Sequence, residues 1–447
     1  MIIMSMFVNR EEERKKLNEI YSSKKAELVL LYGRRRVGKS RLLIESIKDR
    51  NAIYFLADAS ENILDILSTQ VKKEFVKFST WEDSFEFILK SNYEIFVIDE
   101  FQYLYQINKA WPTILQRWWE KLKETKKKII LSGSIISTIN KIARGYGSAL
   151  YGRKTYEIEI KALKFEHIRG FLKYSTEDLI RTYCILGGIP RYLEEFNSEL
   201  TVEENIYKKI LDKNSFLYNE PTNLLFEEFR DFSTYLSVLL SISEGKIKFN
   251  EIVDYAKITS NKLPKYLMTL ERVGIIRKEI PITERKLKSK ITRYFINDNF
   301  YRFWLKFIFK EKSQIEQGLE SEVFNNIKKD INSYFGLSFE EICKEILITK
   351  QKGISKIGRW WYKDNEIDIV ALNERENILY TAECKWQDNV SINNIVTDLQ
   401  EKTKKINWKN KERVEKFIIF AKSFKNKQKL NNVVLFDLTD IKEYLQQ

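Results

Sequence analysis

Residues 27–47 read ELVLLYGRRRVGKSRLLIESI. An apolar run of strand length meets GRRRVGKS, and a helical pattern follows at once. Few local patterns restrict a fold as much, because this one demands a strand, a tight glycine loop and a helix in immediate succession. GRRRVGKS fits G-x-x-x-x-G-K-[ST] at every fixed position. Gly33 and Gly38 allow a loop whose backbone N–H groups converge on phosphate oxygens, and the helix starting near Lys39 points the positive end of its dipole at the same anion. Lys39 is placed to contact the β- and γ-phosphates of a nucleotide, and Ser40 to hold Mg²⁺ through its hydroxyl. The cradle spans Gly33 to Arg41 and includes Arg34, Arg35, Arg36 and Val37. ATP and Mg²⁺ are the expected cofactors.

The neighbouring pattern agrees. AIYFLAD, YEIFVIDEF and KKKIILSGS read as further strands separated by helical stretches, which is the mark of a parallel α/β sheet with crossover helices. FVID delivers Asp99 and Glu100 to a strand end. Asp99 is expected to coordinate Mg²⁺ through water, and Glu100 to orient or deprotonate the attacking water. Ser134 ends the next strand, either as a sensor of the γ-phosphate or as a turn serine.

Composition narrows the chemistry elsewhere. The 447 residues carry 77 Lys and Arg against 63 Asp and Glu, a formal net charge of +14, which suits a polyanionic partner with DNA first. A single histidine, His167, all but removes His-based metal sites and Ser-His-Asp triads, so acid-base work falls to Asp, Glu and Lys. Three scattered cysteines without CxxC spacing argue against a disulfide framework or a zinc site and for a reducing cytoplasm. No apolar run reaches the length of a membrane span, and the start shows no signal peptide.

FVNREEERKKL, LYGRRRVGKS, FVIDEFQYL, LSGSIIS, LYGRKTYEIEIKAL and LGGIPRYL occur in this order. Together they resemble the archaeal-type ATPases of the AAA+/STAND region of P-loop proteins, over roughly residues 1 to 220. The resemblance implies an ATPase core at 1–160 followed by a helical lid at 161–225. It places Asn9 and Arg10 near the adenine. It makes Arg153 a candidate for reaching a phosphate, with a surface arginine as the other reading. The three arginines of the loop depart from small-residue phosphate loops; they face either a partner or a neighbouring phosphate.

KITSNKLPKYLMTLERVGIIRK matches the second and third helices of a winged helix-turn-helix, here bounded at 226–310. Thr259 or Ser260 is the expected cap of the third helix. Leu263, Leu267 and Leu270 point inward, while Lys262, Lys265 and Tyr266 face outward toward a major groove. The basic turn TERKLKSKITR suits phosphates rather than base readout, and protein packing is the alternative use.

The last domain, 325–447, opens with a charged lead-in and carries NEIDIVALNERENILYTAECKW. Residues two apart on a strand share a face, so Glu366 and Asp368 point one way and Ile367 and Ile369 the other. Pairing the strands through NERENI brings Asp368, Glu383 and Lys385 together. Two carboxylates suit Mg²⁺, and the lysine suits a hydroxide or developing phosphate charge. A solvent-facing charged hairpin is the plain alternative. The constellation resembles the PD-(D/E)XK nucleases, with Asp368 as first acid and Glu383-Cys384-Lys385 as the second acid and lysine. That resemblance offers Glu340 of GLSFEEICKEIL as an additional acid, with Glu341 as its rival. No proline precedes Asp368, a departure from the signature.

The expected chain is therefore of the α/β class: a P-loop ATPase parallel sheet with helical lid, a winged helix-turn-helix and a C-terminal α/β nuclease-like domain. The expected function is ATP binding and hydrolysis linked to DNA binding and Mg²⁺-dependent DNA cleavage. The alternative is a STAND-like regulatory switch or scaffold that never cuts, working on a protein partner or a second copy of the chain.

Overall fold

A computed structural model of the chain describes residues 8–71, 76–144, 148–284, 291–428 and 430–446. The basic turn residues Arg285, Lys286, Lys288 and Lys290 lie outside the described residues. The chain divides into two compact units, one of residues 1–162 with 189–191 and one of residues 163–188 with 192–447. Residues 163–188, the three-helix segment and the C-terminal sheet thus belong to unit 2.

Unit 1 is built on five parallel strands: β1 (Glu27–Tyr32), β2 (Ala52–Leu56), β3 (Ile95–Asp99), β4 (Lys128–Gly133) and β5 (Tyr156–Glu159). Their order is β2-β3-β4-β1-β5. Every residue of β1, β3 and β4 is buried, as expected for central strands covered by helices on both faces. β5 was not expected as a strand. Its half-exposed alternation belongs to an edge and carries no strong apolar signal. The helix Glu11–Tyr21 buries Leu17, Ile20 and Tyr21, and the helix Lys39–Ile47 follows the phosphate loop. Because all strands run one way, the ends of β1, β3 and β4 open on the same edge of the sheet.

Unit 2 begins with helices including Thr176–Leu186, whose first turn is capped by Ser175. Three helices follow, Phe232–Ser243, Phe249–Ala256 and Leu263–Arg272, then the antiparallel hairpin β6 (Ile276–Glu279) and β7 (Arg293–Ile296). Leu263, Leu267 and Leu270 are buried and Lys262 and Lys265 exposed, as read from the sequence. The cap is different. The helix starts at Leu263 with Pro264 in its first turn, and neither Thr259 nor Ser260 caps it through a side chain. Proline's preset φ and missing N–H suit that position, so the start needs no side-chain acceptor.

The helix Glu320–Lys350 is continuous over 31 residues and runs through the stretch read as a lead-in. A second sheet follows, in the order β12-β11-β10-β9-β8: β8 (Lys356–Tyr362), β9 (Asn365–Asn373), β10 (Ile378–Lys385), β11 (Val414–Ala421) and β12 (Val433–Phe436). β8, β9 and β10 are antiparallel neighbours, while β10, β11 and β12 are parallel. The helix Ile392–Lys404 links β10 to β11 and covers one face, where Leu399 joins Ile367, Val370, Leu379 and Phe417 in one apolar cluster. The long helix covers the other face, with Phe339 5.1 Å from Trp386. No helix among the described residues is long and apolar enough to cross a membrane.

Candidate nucleotide site and acid cluster

The phosphate loop is held by backbone geometry that only its own residues allow. A Cβ on Gly33 would lie 2.2 Å from the carbonyl oxygen of Ile160, and Gly38 sits at φ 93°. Arg10 braces the loop from below. Its guanidinium donates to the Val37 carbonyl at 2.8 Å, to the Lys161 carbonyl at 2.7 Å and to Glu13 at 2.9 Å. Arg10 was expected beside the adenine; its guanidinium is committed to the backbone of Val37 in the loop and of Lys161. Asn9 and Arg10 both lie in the left-handed region, so the chain turns sharply there. Arg35 donates to the Tyr103 hydroxyl at 2.9 Å, while Arg36 is exposed at φ 70° and Arg34 and Arg41 are half-buried.

Lys39 is buried, and its Nζ donates to the carbonyls of Gly33 and Arg34, each at 3.0 Å. Burial pulls its pKa down to about 8, against the opposing charges of Glu100 and Asp99. Asp99 is fully buried at the end of β3. The Tyr54 hydroxyl donates to Asp99 Oδ2 at 2.5 Å, and the Glu100 N–H donates to Asp99 Oδ1 at 3.0 Å. Burial, then the charge of Asp99, raises the Tyr54 phenol far above its ordinary value, and the same phenol also meets the Ser40 hydroxyl.

Glu100 adopts φ 54°, a left-handed conformation that a glutamate holds only when its surroundings impose it. Its carboxylate accepts from the Ser134 hydroxyl at 2.6 Å and from the Gln102 amide. Gln102 and Ser132 are fully buried, and neither Gln102 Oε1 nor Ser132 Oγ has a hydrogen-bond partner in the protein. This donor set fits a Mg²⁺–nucleotide: an ammonium parked on its own loop, a carboxylate and hydroxyl joined through one phenol, and unpaired polar atoms beside them. Arg153 is not part of it. β5 begins at Tyr156 beside the start of β1, Thr155 N–H donates to the Leu28 carbonyl at 2.8 Å, and Arg153 lies 3.6 Å from Glu120. The cradle is at the far end of β1, about 16 Å along the strand, beyond an arginine's reach.

In unit 2, β9 and β10 pair from Asn373–Ile378 to Ile369–Ala382, which brings Asp368 beside Glu383. On the other side, Gly358 faces Val370 and Trp360 faces Ile367, so Arg359 stands opposite both Asp368 and Ile369. That bulge resets the expected alternation: Ile367 and Val370, three apart, share one apolar cluster. Asp368 Oδ2 accepts the Cys384 N–H at 2.8 Å. Burial and the facing Glu383 push its carboxyl up to about 6. Lys385 Nζ lies 2.7 Å from Glu383 Oε1. Burial opposes the lysine's charge, but Glu383 and Asp368 outweigh it and raise the pKa.

The structure therefore brings Asp368, Glu383 and Lys385 together. Glu340 is engaged elsewhere: it forms an ion pair with Arg359. Glu341 pairs with Arg277 at 2.5 Å, and Arg277 also binds Glu279 at 2.6 Å. Glu366 accepts from Arg293 at 2.8 Å and from Arg359 at 3.1 Å. Among the described residues no group of three or more His, Cys, Asp or Glu side chains is arranged to hold a metal ion.

Residues 7–196 match the family described as an ATPase domain predominantly from Archaea, and residues 304–406 match one described as archaeal and bacterial proteins of unknown function. The uncharacterized protein MJECL04 of Methanocaldococcus jannaschii is 37% identical over 97% of this chain and 100% of its own length. The chain belongs to the family of that protein. Its N-terminal part is an ATPase domain of archaeal type. A 45-residue stretch of this archaeal-type ATPase is 47% identical to the uncharacterized ATP-binding protein MJ0423 of the same organism, covering 10% of this chain and 76% of that protein. The Walker-type ATPase paby2304 of Pyrococcus abyssi has a similar fold, with a TM-score of 0.53 at 21% identity over 67% of this chain and 96% of that one.

Four polar residues of this archaeal-type ATPase escaped the sequence reading: Tyr54, Gln102, Arg277 and Arg359. Gln102 had a usable signal, because it follows the acid pair in DEFQ just after a fully buried strand. Tyr54 and the two arginines had none, since their contacts with Asp99, Glu341 and Glu340 span 45, 64 and 19 residues of chain.

Proposed function

We propose that this chain binds and hydrolyses ATP with Mg²⁺ in unit 1 and cuts DNA with a divalent metal in its C-terminal domain. The Lys39 ammonium on its loop carbonyls, beside the hydrogen-bonded Asp99, Glu100 and Ser134 at one edge of the sheet, carries the ATPase reading. Lys39 exchanges its two loop carbonyls for β- and γ-phosphate oxygens, which restore the full charge that burial weakens. Glu100 leaves Ser134 and takes the proton of the attacking water, while Ser134 turns toward the γ-phosphate. Ser40 and Asp99 would hold Mg²⁺, which would supply charge neutralisation at the phosphate oxygens.

The cutting half rests on the Asp368–Glu383 pair with Lys385 beside it. A buried Glu383 and a half-buried Asp368 that repel one another suit a divalent cation, and Lys385 supplies positive charge for the phosphate under attack. The net charge of +14, the exposed Lys262 and Lys265 and a segment read as a winged helix support DNA as the substrate. The engagement of Glu340 by Arg359 favours a second reading, a nucleotide switch whose C-terminal domain does not cut.

Plasmid and linear duplex DNA, each with Mg²⁺ or Mn²⁺ and with or without ATP, separate the two. Lys39→Ala removes ATP hydrolysis, and Asp368→Ala removes cleavage while ATP hydrolysis persists. Cleavage that survives Asp368→Ala places the chemistry elsewhere, and wild-type protein that never cuts selects the switch. Unchanged ATP hydrolysis in Lys39→Ala overturns the assigned nucleotide site.

A further inference from the structure

The β6–β7 hairpin was read as a DNA-facing element, yet its arginines face carboxylates. Arg277 holds Glu341 and Glu279, and Arg293 holds Glu366. Beyond β6 the Ile282 N–H donates to the Arg359 carbonyl at 3.0 Å, so the segment runs along the outer side of β8, the edge strand of the second sheet. Gly358 admits that approach: a Cβ there would lie 3.2 Å from Ile282 Cδ1.

Arg359 joins this network to the acid pair. It stands opposite Asp368 at the bulge, adds its positive charge to that carboxylate's surroundings, and binds Glu340 and Glu366. Arg359 and Glu340 are only 10% and 14% exposed, so their pairing is shielded from water. Glu340 precedes Cys343 by one helical turn, and the Cys343 thiol feels the charge of Asp368. Glu340 therefore stands on the helix face that meets Asp368.

We infer that the hairpin is a latch on the C-terminal site: with Arg359 it holds Glu340 off the Asp368–Glu383 pair, and DNA phosphates open it by taking the arginines. This rests on the metal-dependent DNA-cutting reading of that site. A guanidinium binds phosphate with the same two-pronged geometry as carboxylate, so a DNA backbone competes directly for these groups. The Arg293 Nε is buried without a hydrogen-bond partner, so one donor of the network is uncommitted. Once phosphate holds Arg359, Glu340 is free to join Asp368 and Glu383 as a third oxygen donor. Substrate then completes the metal site, and free metal without DNA finds only two acids.

Mn²⁺ binding to the full chain, read from the paramagnetic resonance of unbound Mn²⁺, tests this without any turnover. Arg359→Gln should bind Mn²⁺ at least about tenfold more tightly than wild type, the worth of one charge-assisted hydrogen bond. Adding Glu340→Gln to that variant should return the affinity to the wild-type level. A short duplex should tighten Mn²⁺ binding in wild type and leave Arg359→Gln unchanged. Arg277→Gln combined with Arg293→Gln provides a second route, because the freed Glu279 and Glu366 then compete for Arg359 and loosen Glu340. It should also tighten binding if Arg359→Gln does not fold. Mn²⁺ binding that needs Asp368 but ignores these arginine changes overturns the latch and leaves the cutting reading intact. No Asp368-dependent Mn²⁺ site in any variant, with or without DNA, overturns both.

Discussion

Glu345→Gln should make the protein more stable at neutral pH, and the size of the gain should depend on pH. Glu345 lies in the helix Glu320–Lys350. Its Oε2 accepts the Phe165 N–H at 2.9 Å and its Oε1 accepts the Tyr183 hydroxyl at 3.2 Å. Burial pushes its carboxyl from an ordinary 4.5 up to about 7, with Glu166 adding to the rise and the two hydrogen bonds and Lys164 opposing it. Between those values the native state holds a proton that the unfolded chain has released. Stability therefore falls as pH rises through this window and levels off above it. A gap of about 2.5 units corresponds to about 3 kcal/mol at pH 8, an upper bound that relaxation around the carboxylate reduces to about 1–2 kcal/mol.

Glutamine reproduces the protonated acid. Its oxygen accepts from Phe165, and its amide donates to the Tyr183 hydroxyl, which also reaches the Leu163 carbonyl at 3.4 Å. The charge penalty disappears while the contacts stay. The expected outcome is a midpoint about 2–4 °C above wild type at pH 8, and about a quarter of that at pH 5, in thermal unfolding followed by circular dichroism without nucleotide. An equal gain at both pH values would refute the reasoning, because it would trace the effect to packing. A loss at both would show that the carboxylate is stabilised as an anion.

Arg10→Ala should raise the KM for ATP about tenfold or more, because its bonds to the Val37 carbonyl of the cradle and to the Lys161 carbonyl are lost. A purely bracing Arg10 predicts the same loss for GTP as for ATP, whereas a change in base preference in steady-state kinetics would return it to the adenine. Tyr54→Phe deletes the hydroxyl that donates to Asp99 and meets Ser40. It should shift the Mg²⁺ dependence of ATP hydrolysis several-fold while Mg²⁺-free nucleotide binding, followed by calorimetry, stays near wild type.

Unit 1 was legible because its signals are local. The apolar run of β1, the two glycines and the helix after Lys39 lie within 21 consecutive residues, and four of the five strands were read from similar runs. The fifth strand was not, because an edge strand of TYEIEI character reads as an ordinary charged stretch. Asp368, Glu383 and Lys385 were read as neighbours from strand spacing across a short turn, and the register agrees. The face assignment around Asp368 failed for a physical reason: alternation holds only while the ladder is regular, and β9 carries an extra residue against β8. Arg153, left open between a phosphate contact and a surface arginine, lies near Glu120, at the opposite end of β1 from the cradle. A motif marks a residue without saying which end of a parallel strand it precedes.

The hairpin shows where counting charges goes wrong. Arginines on a two-stranded ribbon read from sequence as free positive charge for a polyanion. Arg277 and Arg293 instead meet glutamates 64 and 73 residues further along the chain. Three arginines and four glutamates, Glu279, Glu340, Glu341 and Glu366, form one network, so the segment carries little net field of its own. Partly buried ion pairs of this kind lose hydration on both partners and persist only when several hydrogen bonds replace it. That makes them poor sources of stability and good points of exchange: an incoming phosphate presents the same oxygens to the same guanidinium, and the displaced glutamate regains its water. A network close to balance between two anionic partners can be tipped by the one that arrives in excess. If the proposed DNA-cutting reading holds, exposed lysines such as Lys262 and Lys265 draw the polyanion in, and the paired arginines respond once it has arrived.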